Sequence, residues 1–383
     1  MSGNILSSIM MIGGGFTSYV IPFLFVLTIV VFFHELGHFM VARWCGIKVL
    51  VFSVGFGPEL IGFNDRHGTR WKISAVPLGG YVKFFGDENA ASVPDTAAVA
   101  AMSSEERKVS FQHQPVPSRA AVVAAGPFAN FILAIVIFAT IAMIYGKQSV
   151  AARVESVEPN SPAAVAGFMP NDLVLAIDGS KISDFADMQR IVGESAGKTL
   201  SFDIDRGGVT TRLSAAPALT ERKDRFGNVH KIGLLGIKGM SVPEDAKAEP
   251  VGPFAAVAIG VDKTWFIIRH TMAWIGGFAV GRESADQLGG PLRIAQLSGQ
   301  VASISFSALV ELAAAMSVSI GLLNLFPIPL LDGGHLLFYG IEAARGRPLS
   351  ERAQEVGFRI GLAIVVMLMV FATFNDIVRL ATS

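Results

Sequence analysis

Long apolar runs, separated by more polar segments, dominate the chain. A transmembrane helix needs about 20 predominantly apolar residues, and residues 19–42, 120–146 and 358–374 approach or exceed that length. A fourth run, residues 307–331, carries Glu311 near its start and two prolines at its end. The pattern predicts a polytopic α-helical membrane protein with about four transmembrane helices.

A fifth apolar run, residues 253–281, is interrupted by Asp262, Lys263, Arg269 and His270. Asp, Lys or Arg at the centre of a bilayer each cost about 2.5–3.5 kcal/mol on insertion scales. The run therefore predicts an amphipathic helix lying on the membrane surface. A spanning helix is the alternative.

Between the first two apolar runs, the hydrophobic pattern changes to the alternation of β-strands. Residues 48–85 alternate in this way and are broken by glycines 55, 57, 79 and 80, which predicts β-hairpins at or in the membrane beside the first helix. Backbone of this kind is tolerated at depth only when it packs on protein or lines a wet cavity. Residues 87–110 are rich in Ala, Ser, Asp and Glu, which predicts a cytoplasmic loop or short helix.

A second change of pattern follows the second apolar run. Short β-runs at residues 152–157, 173–177 and 200–205 alternate with helical stretches at 162–166 and 185–192, which predicts a small α/β domain of typical size. We expect four regions: a membrane core over 1–147, the α/β domain over 148–240, a linker with the amphipathic helix over 241–303, and a second membrane core over 304–383.

Composition and charge support a membrane protein and add an orientation. Hydrophobic residues make up 51% of the 383 residues and charged residues only 16%, against about 25% charged in soluble proteins. The net charge is zero, so we expect membrane lipid, and no nucleic acid, among the partners. Basic residues cluster in 43–119 and 345–359, and the positive-inside rule places these segments in the cytoplasm and residues 147–305 outside.

The first apolar run contains the sequence HELGH. His34 and His38 are four residues apart and share one helix face, so both imidazoles can reach one Zn²⁺, and Glu35 is placed to take a proton from water. The single cysteine, Cys45, cannot supply a cysteine metal site. The third ligand is expected from the membrane-embedded Asp332, just beyond two prolines, with His335 as the alternative.

Two asparagines also lie in apolar surroundings. Asn324 precedes Asp332 on the fourth run, and Asn130 lies in the second run within AGPFAN. Each could contact the backbone of a substrate or hold helices together through a hydrogen bond. Both alternatives stay open from the sequence.

Six motifs together resemble those of the site-2 proteases, which are intramembrane zinc metalloproteases, and are closest to the bacterial branch that cleaves anti-sigma factors in stress responses. They are HELGH, GFGP at Gly55, GGYVKFFGDEN at Gly79, AGPFAN at Ala125, LGGPLRIA at Leu288 and NLFPIPLLDGGH at Asn324. The resemblance implies that His34, His38 and Asp332 bind zinc and that Glu35 is the general base. It also implies substrate contacts at Asn324 and Asn130, and pairing of an unwound substrate with Gly79, Gly80 and Tyr81.

The α/β region resembles a circularly permuted PDZ domain. SPAAVAGFMPNDLVLAIDGSKI resembles the core stretch of such a domain, and GLLGI resembles its carboxylate-binding strand. The resemblance implies that Gly233, Leu234 and Gly236 capture peptide C-termini. A steric gate with an empty groove is the alternative, and the region has room for one PDZ domain.

These features predict an intramembrane zinc endopeptidase of the bacterial inner membrane with a periplasmic PDZ domain. We expect its substrates to be single-pass membrane proteins already trimmed outside by a site-1 protease, or remnant signal peptides. A zinc transporter and a non-catalytic membrane scaffold are the competing hypotheses.

Overall fold

The computed structural model describes residues 3–87, 101–146, 151–182, 184–223, 229–239, 249–279 and 289–382. The chain divides into two compact units, one of residues 1–142 together with 253–383 and one of residues 143–252. The first unit therefore joins the two predicted membrane cores and the predicted amphipathic helix. The second is somewhat longer at both ends than the predicted α/β domain.

The elements of the first unit that precede the second unit are α1 (Gly3–Trp44), β1 (Val49–Asn64), β2 (Arg70–Phe84), α2 (Ser104–Val109) and α3 (Val116–Tyr145). The second unit contains β3 (Val154–Val157), α4 (Pro162–Ala166), β4 (Leu173–Ile177), β5 (Ser180–Lys181), α5 (Phe185–Glu194), β6 (Leu200–Arg206), β7 (Val209–Ala215), β8 (Ala218–Lys223), β9 (Val229–Leu234) and β10 (Ile237–Gly239). The first unit then resumes with α6 (Pro253–Ala279), α7 (Pro291–Ile304), α8 (Phe306–Asn324), α9 (Asp332–Arg345) and α10 (Glu351–Thr382).

Four helices in the described part of the chain are long and apolar enough to cross a membrane. Their spans are residues 17–44 of α1, 116–145 of α3, 306–324 of α8 and 352–379 of α10. Each coincides with one of the predicted runs, although α10 extends beyond the predicted 358–374 at both ends. The predicted count of about four spanning helices agrees with these lengths and compositions.

Small residues allow the spanning helices to approach closely. A Cβ atom on Gly37 of α1 would lie 2.3 Å from the carbonyl oxygen of Ala125 in α3. A Cβ atom on Gly321 of α8 would lie 3.0 Å from the carbonyl oxygen of Pro127 in α3. The helix α3 therefore packs closely both on the HELGH helix and on the helix that leads to Asp332.

The strands β1 and β2 form a sheet in which each strand bends back on itself. The start of β1 has two neighbours, since Phe52 is paired both with Val82 and with Trp71, while Trp71 is also paired with Phe63. The end of β2 is therefore the outer strand on one side of the sheet. The predicted glycine breaks lie at the bends, and Gly55, Gly57 and Gly79 all have positive φ.

The predicted amphipathic run forms the single helix α6. Its packed side carries Ala256, Gly260 and Thr264, spaced four residues apart, and a Cβ atom on Gly260 would lie 2.5 Å from the carbonyl oxygen of Ile135 in α3. Lys263 forms an ion pair with Glu311 of α8 at 2.8 Å. Helix α6 is not among the four span-like helices of the described residues, and its placement on the membrane surface stays a prediction.

Residues 88–100 lie outside the described residues, and they make up most of the predicted 87–110 loop. The described end of that region contains the short helix α2, where Ser103 and Glu106 form a capping box. A short helix was one of the two predicted alternatives for this region.

The second unit is a separate α/β fold, as predicted. Its sheet has the strand order β5-β4-β6-β7, with two further strand pairs, β10 with β3 and β8 with β9. Its own hydrophobic core includes Val154, Val174, Ile177, Phe202 and Ile204. The helices at 162–166 and 185–194 and the strands at 173–177 and 200–206 match the predicted elements to within two residues.

Candidate metal centre

Three side chains from two distant parts of the chain meet beside α1. The Nε2 atoms of His34 and His38 lie 3.2 Å apart. Oxygen atoms of Asp332 lie 3.2 Å from His34 Nε2 and 3.6 Å from His38 Nε2. One ligand atom from each of the three side chains lies within 4.8 Å of the others, which is close enough to hold one metal ion.

The two imidazoles are oriented by helix α3. His38 Nδ1 donates a hydrogen bond of 2.8 Å to the carbonyl oxygen of Val122, and His34 Nδ1 lies 3.3 Å from the side-chain amide of Asn130. The proton on His38 Nδ1 leaves the lone pair of Nε2 free to face a metal. Gly126 provides the space, because a Cβ atom there would lie 2.3 Å from His38 Nε2.

Asp332 is the first residue of α9 and follows the loop that ends α8. Leu330, two residues earlier, has a φ of 99°, which is unfavourable for a branched side chain and is typical of strained functional segments. A Cβ atom on Gly333 would lie 2.2 Å from the carbonyl oxygen of Phe326, and one on Gly334 would lie 2.4 Å from that of Ile328. The two glycines let the first turn of α9 fold tightly against the loop and direct Asp332 toward the histidines.

The chemistry of this cluster fits a bound cation. The proton on His38 Nδ1 leaves a lone pair on its Nε2, which converges with His34 Nε2 and with the carboxylate of Asp332, itself an acceptor. Asp332 Oδ2 is buried and receives no hydrogen bond. Two histidines and one carboxylate are a known ligand set for catalytic zinc, so the residues present suit this metal.

A cavity of about 210 Å³ opens beside the cluster. Its lining includes Glu35, Asn324 and His335, together with Gly80, Tyr81, Val82 and Phe84 of the outer strand. Val82 of this strand lies beside the carboxylate of Glu35. The cavity therefore places the predicted base between the metal cluster and the edge of the sheet.

The other predicted site residues of the membrane unit fall into two groups. Asn324, Gly80 and Tyr81 line the cavity. Asn130 is fully buried against His34, so its position favours support of a ligand over contact with a substrate. Gly79 packs against the ring of Phe56. A Cβ atom on Gly79 would lie 2.4 Å from Cε2 of that ring.

His335, the alternative third ligand, lies three residues after Asp332 and also lines the cavity. Burial lowers the pKa of His335, which keeps its imidazole neutral at neutral pH. The group of ligand atoms in the described residues contains Asp332 and not His335. Glu311 of α8 does not belong to this group and forms an ion pair with Lys263.

The sequence did not point to the Val122 carbonyl or to the space provided by Gly126. The carbonyl group carries no sequence signal, because any residue supplies one. Gly126 is visible within AGPFAN, but only the packing of α3 on α1 shows which atoms the glycine admits.

In the second unit, GLLGI is divided between two strands. Gly233 and Leu234 end β9, and Gly236 follows with a φ of 77°. The carbonyl oxygens of Leu235 and Gly236 accept hydrogen bonds from Ala163 and Glu158 respectively. The segment is thus a bend between strands, and a peptide at Gly233, Leu234 and Gly236 remains a prediction.

The comparison with protein families decides what this arrangement belongs to. The model described as Peptidase family M50 matches residues 22–368. The chain belongs to peptidase family M50. The resemblance to site-2 proteases noted from the motifs is therefore confirmed, and this M50 peptidase is a metalloendopeptidase.

Relatives of this M50 peptidase match over nearly their full length. Atu1380 of Agrobacterium fabrum, which carries the name of a zinc metalloprotease, is 52% identical over 97% of this chain and 99% of the relative. The metalloprotease MmpA of Caulobacter vibrioides is 39% identical, over 95% and 96% of the two chains. The regulator of sigma-E protease RseP of Escherichia coli is 30% identical, over 94% and 98%.

Two solved structures match part of the M50 peptidase. The PDZ domain of the SdrC-like protein from Listeria monocytogenes is 20% identical, with a TM-score of 0.19, and covers 23% of this chain and 84% of its own. The corresponding PDZ domain from Listeria innocua is also 20% identical, with a TM-score of 0.20, over 24% and 97%.

Proposed function

We propose that the protein is a zinc-dependent intramembrane endopeptidase that cleaves transmembrane segments of single-pass membrane proteins in regulated intramembrane proteolysis. The observation that carries the proposal is the location of the cluster. His34 and His38 lie inside an apolar helical span of 28 residues, about 15 Å and about 9 Å, respectively, from its end at Trp44. Ionisable groups at such a depth are costly and mark functional sites.

His34, His38 and Asp332 would hold the zinc ion, with their orientation fixed by Val122, Asn130 and the first turn of α9. Zinc in a site with three protein ligands polarises a carbonyl group and lowers the pKa of water. The same three side chains line the cavity, so a bound ion would face the space that a substrate enters.

Glu35 is the residue that moves the proton. Its carboxylate lies next to a ligand and lines the cavity. From there it takes the proton of the attacking water and returns it to the nitrogen of the departing peptide, as a general base and then a general acid.

The outer strand at the end of β2 would receive the substrate. A peptide bond in a transmembrane helix is shielded by the hydrogen bonds of that helix, so the segment must unwind before cleavage. An exposed strand edge offers new partners to the unwound segment. Gly80 and Tyr81 lie on this strand at the cavity, with Gly79 just before them, and Asn324 lies across the cavity to hydrogen-bond the substrate backbone.

The second unit would act on the outer side of the bacterial inner membrane, as a periplasmic PDZ domain. Its bend at Gly236 would capture peptide C-termini, which a prior cut by another protease would create. MmpA is named as a metalloprotease, and RseP is named as a regulator of sigma-E protease. These names support a metalloprotease that acts on anti-sigma factors. Remnant signal peptides are the other substrate class of the proposal.

Substitution of Glu35 by Gln tests the proposal. The variant should retain zinc, measured by elemental analysis of purified protein, and should cleave a transmembrane reporter at least ~100-fold more slowly, as expected for loss of a general acid–base group. Glu311→Gln is the matched control, because Glu311 is also a carboxylate on a membrane helix but pairs with Lys263. It should cleave the reporter at a rate close to that of the wild type.

Wild-type cleavage by Glu35→Gln would refute the mechanism. A zinc transporter would bind zinc but leave the reporter intact and move the ion across proteoliposomes. A scaffold would contain no zinc and would tolerate substitution of His34. The three hypotheses therefore give different results in the same preparations.

A further inference from the structure

The motif GGYVKFFGDEN contains a carboxylate that the proposed chemistry does not use. Asp87 closes the motif's turn and is 5% exposed. Its Oδ1 atom accepts a hydrogen bond of 3.1 Å from Gln112 Nε2. A buried carboxylate held from a separate segment is a costly feature, and its neighbours indicate what it does.

Asp87 follows the end of β2, which is the outer strand of the sheet beside the metal cluster. In this strand, Gly80, Val82 and Phe84 are paired with Val54, Phe52 and Val49 of β1. A Cβ atom on Gly80 would lie 3.2 Å from Cγ of Glu35, so this strand is the side of the sheet that borders the cavity.

The backbone of this strand has a definite direction toward the cavity. Alternate residues of an antiparallel strand direct their N–H and C=O groups to the same edge. The N–H of Phe85 donates to the carbonyl oxygen of Lys48, just before β1, whereas the N–H of Phe84 faces away from β1 and donates to Asp87. Gly80, Val82 and Phe84 therefore share the edge on which a substrate strand would form hydrogen bonds.

At Phe84 this edge is already occupied. The N–H of Phe84 donates to Asp87 Oδ2 at 3.3 Å, and the N–H of Asp87 donates to the carbonyl oxygen of Phe84 at 3.2 Å. Both backbone groups that the next residue of a substrate strand would need are thus bound to Asp87. The ring of Phe84 also stacks on the buried Phe111, with centroids 4.8 Å apart, and closes that end of the cavity.

We propose that Asp87 is a register stop that limits substrate pairing to Gly80 and Val82 and so selects which peptide bond lies beside Glu35. The hydrogen-bonding pattern of a strand repeats every two residues, and a substrate on an open edge can therefore slip by two residues. Asp87 removes the site that a slipped strand would use. The inference rests on the proposed cleavage of an unwound substrate at this strand, and it assigns Asp87 a positioning role rather than a catalytic one.

Product analysis by mass spectrometry provides the first test. The wild type should release one major product from a transmembrane reporter. Asp87→Ala removes the carboxylate that accepts from the Phe84 N–H and keeps the backbone N–H of residue 87. A second product displaced by two residues should rise about fivefold, since the freed N–H can then bind a slipped strand. Asp87→Asn keeps a side-chain oxygen that can accept from the Phe84 N–H, and it also keeps the backbone N–H of residue 87. It should therefore restore the single product.

Asp65→Ala is the matched control. Asp65 also accepts backbone N–H groups within this sheet, from His67 and Thr69, but it lies at the turn between β1 and β2, away from the cavity. Its substitution should leave the cleavage position unchanged. A drop in total product from Asp87→Ala with no displaced product would mean that Asp87 only supports the fold, and would overturn the inference.

Cross-linking reads the register without any cleavage. In a Glu35→Gln, Cys45→Ser background, Lys83→Cys should form a disulfide with one position of a cysteine-scanned reporter. Adding Asp87→Ala should produce a second position two residues away. The register stop would be overturned if the reporter cross-links at one position in both proteins, or at no position in either. A reporter that stays intact with the wild-type enzyme would refute only the proposed proteolysis.

Discussion

Substitution of Gly126 by Ala should disable the metal centre through a single methyl group. The Cβ atom would lie 2.3 Å from His38 Nε2, 2.5 Å from His38 Cε1 and 2.9 Å from His34 Cε1. Contacts of a Cβ atom closer than 3.0 Å are essentially not seen in proteins. The imidazoles or helix α3 must therefore move by about 1 Å, whereas a zinc–nitrogen bond tolerates only about 0.2 Å.

The expected magnitude follows from this displacement. Overpacking costs about 1–3 kcal/mol, and misplacing ligands should lower zinc affinity at least ~100-fold, the upper end of the effect seen when supports of a ligand are removed. The assay is competition for zinc against a chromophoric chelator, using purified protein. Gly340→Ala in α9 is the control, because a Cβ atom there meets nothing within 4 Å.

The control should retain wild-type zinc affinity and gain about 0.5–1 kcal/mol of stability from its improved helix propensity. Wild-type affinity in Gly126→Ala would refute the reasoning, since it would mean that the metal does not bind where His34 and His38 face α3. Equal losses in both variants would point instead to a general effect of the methyl group on the helices.

Two further predictions concern stability. Arg119→Ala leaves the largely buried carboxylate of Glu342 without the guanidinium that lies 2.6 Å away. This should lower the free energy of unfolding by about 3 kcal/mol and lower the melting temperature in detergent micelles. An unchanged melting temperature would show that the pair adds nothing. In the second unit, burial raises the pKa of Asp172, but hydrogen bonds from Arg206 outweigh burial and hold that pKa below its usual value. Asp172 therefore stabilises the folded unit above the ordinary carboxyl pKa of about 4, and this contribution is lost as the pH falls below it. Hydrogen exchange of β4 and β6 in the full chain should show this loss in the wild type and not in Asp172→Asn.

Sequence reasoning reached the metal cluster because its signals are local or depend on the membrane. His34 and His38 share a helix face by their spacing alone, and their apolar surroundings exclude a solvated surface pattern. Asp332 followed from its position after Pro327 and Pro329, where a helix must end. The apolar runs likewise gave the four long helices, since length and hydropathy are properties of single segments.

What the sequence could not supply depends on contacts between distant segments. The fold-back of β1 and β2 places Phe52 between Val82 and Trp71, and no local pattern distinguishes this pairing from a simple hairpin. The role of Asn130 could not be decided for the same reason, because both open alternatives need a polar residue in an apolar helix. Only its contact with His34 separates them.

The distance along the chain between the metal-binding side chains has a consequence for biosynthesis. His34 and His38 enter the membrane with the first helix, but Asp332 leaves the ribosome only when most of the chain has been made. At bacterial rates of synthesis this interval is on the order of tens of seconds. A nascent chain therefore carries two histidines and Glu35 without a complete ligand set, and is inert toward neighbouring membrane proteins until its last helices insert.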